Sequence, residues 1–138
     1  MVICLAINFI ECTPRTEDKM DYTLETENGV ITGIVNNSRI SEEINRIAND
    51  DVKYPEDYGF LILVPKEKIN NIRYIQMAKN VGSDEYTIEI RIDDNKSFKH
   101  YQYFSNSKEE VMSIFLDFAE NKKLPDLKEW EDVSGQYR

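Results

Sequence analysis

The sequence predicts an α+β fold: an antiparallel sheet, a meander of about six strands, with two helices packed on it and the C-terminal helix on the sheet face. Three observations predict it. Ile72 to Ala78, Tyr86 to Ile92 and His100 to Phe104 each have strand character and are joined by short polar turns. Val111, Ile114, Phe115 and Phe118 fall at i, i+3, i+4 and i+7, one face of a helix. Ile40, Ile44, Ile47 and Ala48 mark a second, shorter helix.

Taken in order, Val2 to Glu11 reads as a buried strand and Thr13 to Lys19, with Pro14, as a loop. Asp21 to Thr26 alternates, with Tyr22 and Leu24 on one side. Asn28-Gly29 signals a hairpin turn, and Val30 to Val35 is the expected return strand. Ser38 or Ser41 can cap the first helix, which runs into the acidic Asn49-Asp50-Asp51. Phe60 to Val64, bounded by Gly59 and Pro65, suits a strand buried on both faces. In the next strand, alternation puts Ile72, Tyr74, Gln76 and Ala78 on one face, Arg73, Ile75 and Met77 on the other. Gly82-Ser83-Asp84 turns into Tyr86 to Ile92, whose second face carries Thr87, Glu89 and Arg91; a polar loop at Asp93 to Ser97 follows. Ser107-Lys108-Glu109-Glu110 is a capping box opening the last helix. Asn121 is its expected stop, Pro125 forbids continuation, and Trp130 closes the end of the core.

The chain has 138 residues, 41% hydrophobic and 31% charged, which fits a single soluble domain over residues 1–138. Asp and Glu number 26 against 17 Lys and Arg, a formal charge of -9. Such a surface repels phosphate backbones, so nucleic acid and anionic membranes are poor partners and a basic protein is a good one. Cys4 and Cys12 at opposite ends of one strand would lie roughly 26 Å apart at about 3.3 Å per residue, too far for a disulfide. Free thiols in a reducing compartment, and so a cytoplasmic protein, are the expectation. The apolar run Val2 to Ile10 is too short to span a bilayer and has no basic leader.

Reactive groups are few. His100 is the one histidine, the cysteines lack zinc spacing, and the glycines form no phosphate-cradling loop, so no metal or cofactor is expected. A Glu89–Asp84 acid–base pair is conceivable, but a solvated charge row of Glu89 with Arg91 explains Glu89 more simply. Two acidic patches carry aromatics. Asp50, Asp51, Glu56 and Asp57 surround Tyr54 and Tyr58; Asp126, Glu129, Glu131 and Asp132 surround Trp130. Carboxylates for steering and aromatics for anchoring suit a surface that grips a basic protein.

The C-terminal stretch, Ser107-Lys108-Glu109-Glu110, the helix face ending at Phe118, Lys122-Lys123-Leu124-Pro125, and Leu127 leading to Trp130, resembles the tail of a family of bacterial immunity proteins. These antitoxins are encoded beside polymorphic toxins, in the group that includes immunity proteins against DNA-deaminase toxins. The order of elements from Ile40 onward is similar too. The tail departs at one point: Leu127 stands three residues before the tryptophan, where the family has its hydrophobic residue two before. The resemblance implies a non-enzymatic protein that binds a cognate toxin domain and occludes its active site or nucleic-acid cleft. A small enzyme using His100, or a general interaction module, are the alternatives.

Overall fold

The computed structural model describes residues 21–52 and 58–137. Among these residues seven strands form one sheet in the order β2-β1-β3-β4-β5-β6-β7, every neighbouring pair antiparallel. They are β1 (Tyr22–Thr26), β2 (Gly29–Val30), β3 (Tyr58–Pro65), β4 (Ile72–Asn80), β5 (Tyr86–Asp94), β6 (Ser97–Ser105) and β7 (Glu131–Asp132). Helix α1 (Asn37–Ala48) lies between β2 and β3 in the chain, and α2 (Lys108–Asn121) between β6 and β7. The α+β class and the meander β3 to β6 agree with the sequence. The expected strand Val2 to Glu11, both cysteines and the Thr13 to Lys19 loop lie outside the described residues.

Side-chain alternation decides what is buried. On one sheet face Leu24, Leu61, Leu63, Ile75, Met77, Ile88 and Ile90 are fully covered, in one core with Ile40, Ile44 and Ile47 of α1 and Val111, Phe115 and Phe118 of α2. The two helices also touch each other. Tyr22 ties α2 to β1: its ring meets Phe118 edge-on at 5.9 Å, and its hydroxyl donates to the carbonyls of Phe118 and Ala119. Gly59 lets α1 approach β3, because a Cβ there would come within 3.0 Å of the Ile47 side chain.

Several elements differ from expectation for local reasons. Among the described residues β3 is covered on one face only; Phe60, Ile62 and Val64 are half-buried while Leu61 and Leu63 are sealed. The return strand stops at Val30; Gly33, at φ 106, leaves the extended path. Gly29, at φ 108, takes the position that closes the hairpin, with Glu27 and Asn28 at its tip. A bulge between Ile72 and Tyr74 turns Ile72 to the same side as Ile75 and Met77, overturning its assignment beside Tyr74. The Asp93 to Ser97 loop shrinks to a turn at Asn95 and Lys96, with Asn95 left-handed.

The caps also differ. Asn36, not Ser38 or Ser41, caps α1: its Oδ1 accepts from the Arg39 amide at 2.9 Å. The capping box of α2 is half made. Ser107 Oγ accepts from the Glu110 amide, but the Ser107 amide donates to Ser105 Oγ, and Glu110 instead accepts from the hydroxyls of Ser105 and Tyr103. Asn121 stays in the helix, bonded to Asp117; Lys122, at φ 55, makes the left-handed cap.

α1 is clamped electrostatically as well. Arg46 reaches Glu27 in the hairpin and Glu43 on its own helix, and Glu27 also accepts from the Phe60 amide at 3.2 Å. Burial pushes the Glu27 carboxyl up, but its hydrogen bonds from Arg46 and Phe60 outweigh that and hold it below its ordinary value.

Phe115→Ala should cost about 3–5 kcal/mol by opening a core cavity, and Ser107→Ala about 1 kcal/mol through the lost cap. Urea unfolding followed by the fluorescence of Trp130 measures both.

Candidate functional site

The first acidic patch is divided by the sheet. Asp50, left-handed at φ 57, turns toward the helix-covered side, where Oδ1 accepts from Lys79 Nζ and Oδ2 from the Gly82 amide. The Lys79 side chain is 5% exposed, so Asp50 is the counter-charge of a buried ammonium. Tyr58, 52% exposed, starts β3 on the opposite face and lies against Phe60. Asp51 is exposed, and its backbone carbonyl accepts from Arg46. Tyr54, Glu56 and Asp57 lie outside the described residues.

The second patch holds together as carboxylates, without its aromatic. Trp130 is buried, stacked on Tyr103 at 5.1 Å, so it fixes the chain and offers no ring to a partner. Around it Asp126, Glu129, Glu131 and Asp132 are exposed. Asp126 caps a 3-10 turn, Leu127–Glu129, by accepting from the Lys128 amide. Asp132 accepts from the Ser134 hydroxyl and amide, which hold its carboxyl below its ordinary value, and it lies 3.5 Å from Lys99.

The uncovered sheet face carries a polar cluster that sequence reasoning missed. Register aligns Gln76, Glu89 and Gln102 across β4, β5 and β6. Gln76 donates to Glu89 Oε1 at 2.7 Å and Gln102 to Oε2 at 3.0 Å. Tyr137 donates to Oε1 at 3.4 Å, and His100 Nε2 lies 2.9 Å from the same oxygen. The Glu89 side chain is only 12% exposed. It is therefore a hydrogen-bonded hub, where a solvated charge row was expected. Arg91 does not complete that row: its guanidinium lies over the Phe98 ring at 4.1 Å. Nor does Asp84, in the exposed turn before β5, contribute a hydrogen bond to Glu89. The signal was in the sequence, but only a known register puts two glutamines beside that carboxylate.

His100 is fully buried. Tyr137 stacks on its ring at 4.1 Å, and Tyr74 meets it edge-on. Its amide donates to Ser134 Oγ, and its carbonyl accepts from the Val133 amide. Among the described residues Nδ1 has no hydrogen-bond partner. The tautomer with hydrogen on Nε2, donating to Glu89, leaves no orphaned donor; a hydrogen on Nδ1 would bury one. The pair thus binds the C-terminal 3-10 turn (Ser134–Tyr137) to the sheet.

Beside Glu89 the same face forms a shallow groove lined by Tyr58, Phe60, Ile62, Ala78 and Thr87. Phe104, across from Thr87, extends it and is 48% exposed. Among the described residues no cluster of His, Cys, Asp and Glu could hold a metal ion, and no helix is long and apolar enough to cross a membrane. Comparison with protein-family models, curated proteins and solved structures finds no match.

The Lys79 ammonium holds the Asp50 carboxyl below its ordinary value, chiefly by hydrogen bonding. A carboxyl lowered in the folded state adds stability above its unfolded value, about pH 4, and loses it as pH falls through the folded value. Asp50→Asn should therefore lower the urea midpoint at pH 7 and flatten the acid limb of the stability profile. Lys79→Met, which removes the buried charge itself, should lower the midpoint less.

Proposed function

We propose that this protein is a stoichiometric inhibitor of immunity-protein type, acting in the cytoplasm on a basic toxin domain. One observation carries the reading: Asp126, Glu129 and Glu131 stand exposed on a short segment whose backbone is pinned by the buried Trp130. A rigid row of carboxylates on a chain of charge -9 attracts the cationic cleft that a nucleic-acid-acting toxin must have. Seated there, it stands where the phosphates would, and the bulk of the sheet excludes substrate. The tail's resemblance to immunity proteins supports the same reading.

Co-expression with the product of the neighbouring gene should yield a stable complex. Charge reversal at Asp126, Glu129 and Glu131 should slow association about tenfold at low salt, with the difference shrinking as salt is raised. Unchanged association rates and salt dependence would remove electrostatic steering from the account.

The 2.9 Å His100–Glu89 contact favours a second reading, an enzyme with His100 as general base oriented by Glu89. Burial opposes it, because a base must reach its substrate. Diethyl pyrocarbonate separates the two: under the first reading His100 is ethoxycarbonylated only on unfolding, under the second it reacts in the native protein.

A further inference from the structure

We propose that the uncovered sheet face is an arginine-accepting subsite with Glu89 at its base, built to take one basic side chain of a partner protein flanked by apolar residues. This deepens the inhibitor reading and rests on it for the identity of the partner. The first ground is charge. Among the described residues no lysine or arginine lies within ion-pair distance of Glu89; Arg91, two residues along the same face, is directed to Phe98 and Asp93. The groups that hold Glu89 are two amides, a phenol and an imidazole, which fix the orientation of the carboxylate.

The second ground is capacity. Among the described residues Oε1 receives Gln76, His100 and Tyr137, whereas Oε2 receives only Gln102 and has capacity to accept again. The third is shape. Glu89 and Tyr137 border the groove of Tyr58, Phe60, Ile62, Ala78 and Thr87, and Thr87 pairs with Phe104 one step along from the Glu89–Gln102 pair, so a side chain reaching Oε2 runs over Thr87 and Phe104 first. An arginine suits this path: its aliphatic stem covers Thr87 and the Phe104 ring, and its planar head donates to the carboxylate. The neighbouring aromatics Tyr58 and Phe104 then meet the apolar residues beside that arginine.

The test uses a capped peptide, Ser-Leu-Arg-Leu-Ser, and its citrulline counterpart, titrated into the full-length 15N-labelled protein and followed by amide shifts. The arginine peptide should move the amides of Gln76, Thr87 and Glu89, with the citrulline peptide about tenfold weaker. Glu89→Gln should remove that preference. Thr87→Lys leaves Glu89 and its donors in place, and should abolish binding by placing a cation in the groove; it keeps the test decisive if Glu89→Gln fails to fold. Shifts confined to the Asp126–Glu131 segment, equal binding of both peptides, no binding, or indifference to Thr87→Lys would overturn the subsite. A positive titration in a protein that captures no neighbouring toxin would leave the subsite standing and remove the inhibitor reading; a toxin complex formed by a protein that fails the titration would do the reverse.

Discussion

The two-residue period of β5 sets most of what this molecule presents. Ile88 and Ile90 point into the core beneath the helices, which forces Glu89 between them to the other face. A shift of one residue would bury the carboxylate among isoleucines and expose the core, so the apolar pattern locks the register. Once locked, it brings Gln76 and Gln102 to either side of Glu89. Packing on one face thus determines the chemistry of the other.

Ionic contacts do a different task around α1. Arg46 links the helix to the β1–β2 hairpin through Glu27, and Asp50 follows the helix end to meet Lys79 from β4. Such buried or half-buried pairs add little net stability over well-packed apolar groups, since desolvation offsets much of their attraction. Each has a demanding geometry, however. With Gly59 admitting Ile47, they leave α1 one position against the sheet.

The meander and both helices were legible because their apolar periods are long and clean. What was illegible depended on partners distant in sequence. Ile72 was placed on the wrong face because a bulge is a single-residue event that alternation cannot signal. Glu110 looked like the reciprocal half of a capping box, yet Ser105 and Tyr103 on the preceding strand compete for its oxygens. Asp50 and Tyr58, eight positions apart, read as neighbours in one patch until the sheet separated them. Trp130 reads in sequence as the residue that closes the end of the core, and it is buried there against Tyr103; only its other reading, as the aromatic of an acidic patch, fails, because sequence cannot show Tyr103 occupying its ring. The acidity was legible; which carboxylates are spent inside the fold was not.

That distinction bears on the proposed binding role. A carboxylate engaged by Lys79 or Arg46 contributes to the overall field but cannot be rearranged around an incoming cation without loss of structure. Among the described residues Asp126, Glu129 and Glu131 have no such duty beyond one turn cap, so they can steer. Glu89 is intermediate: hydrogen bonds from Gln76 and Gln102 fix its orientation, and no lysine or arginine among the described residues is paired with it. A charge already oriented and largely desolvated costs less to engage than one on a mobile side chain, which is the condition for a short-range anchor as opposed to a long-range guide. The C-terminal turn that seals His100 therefore serves the open face as well, because Tyr137 both stacks on the imidazole and donates to the carboxylate it helps to hold in place.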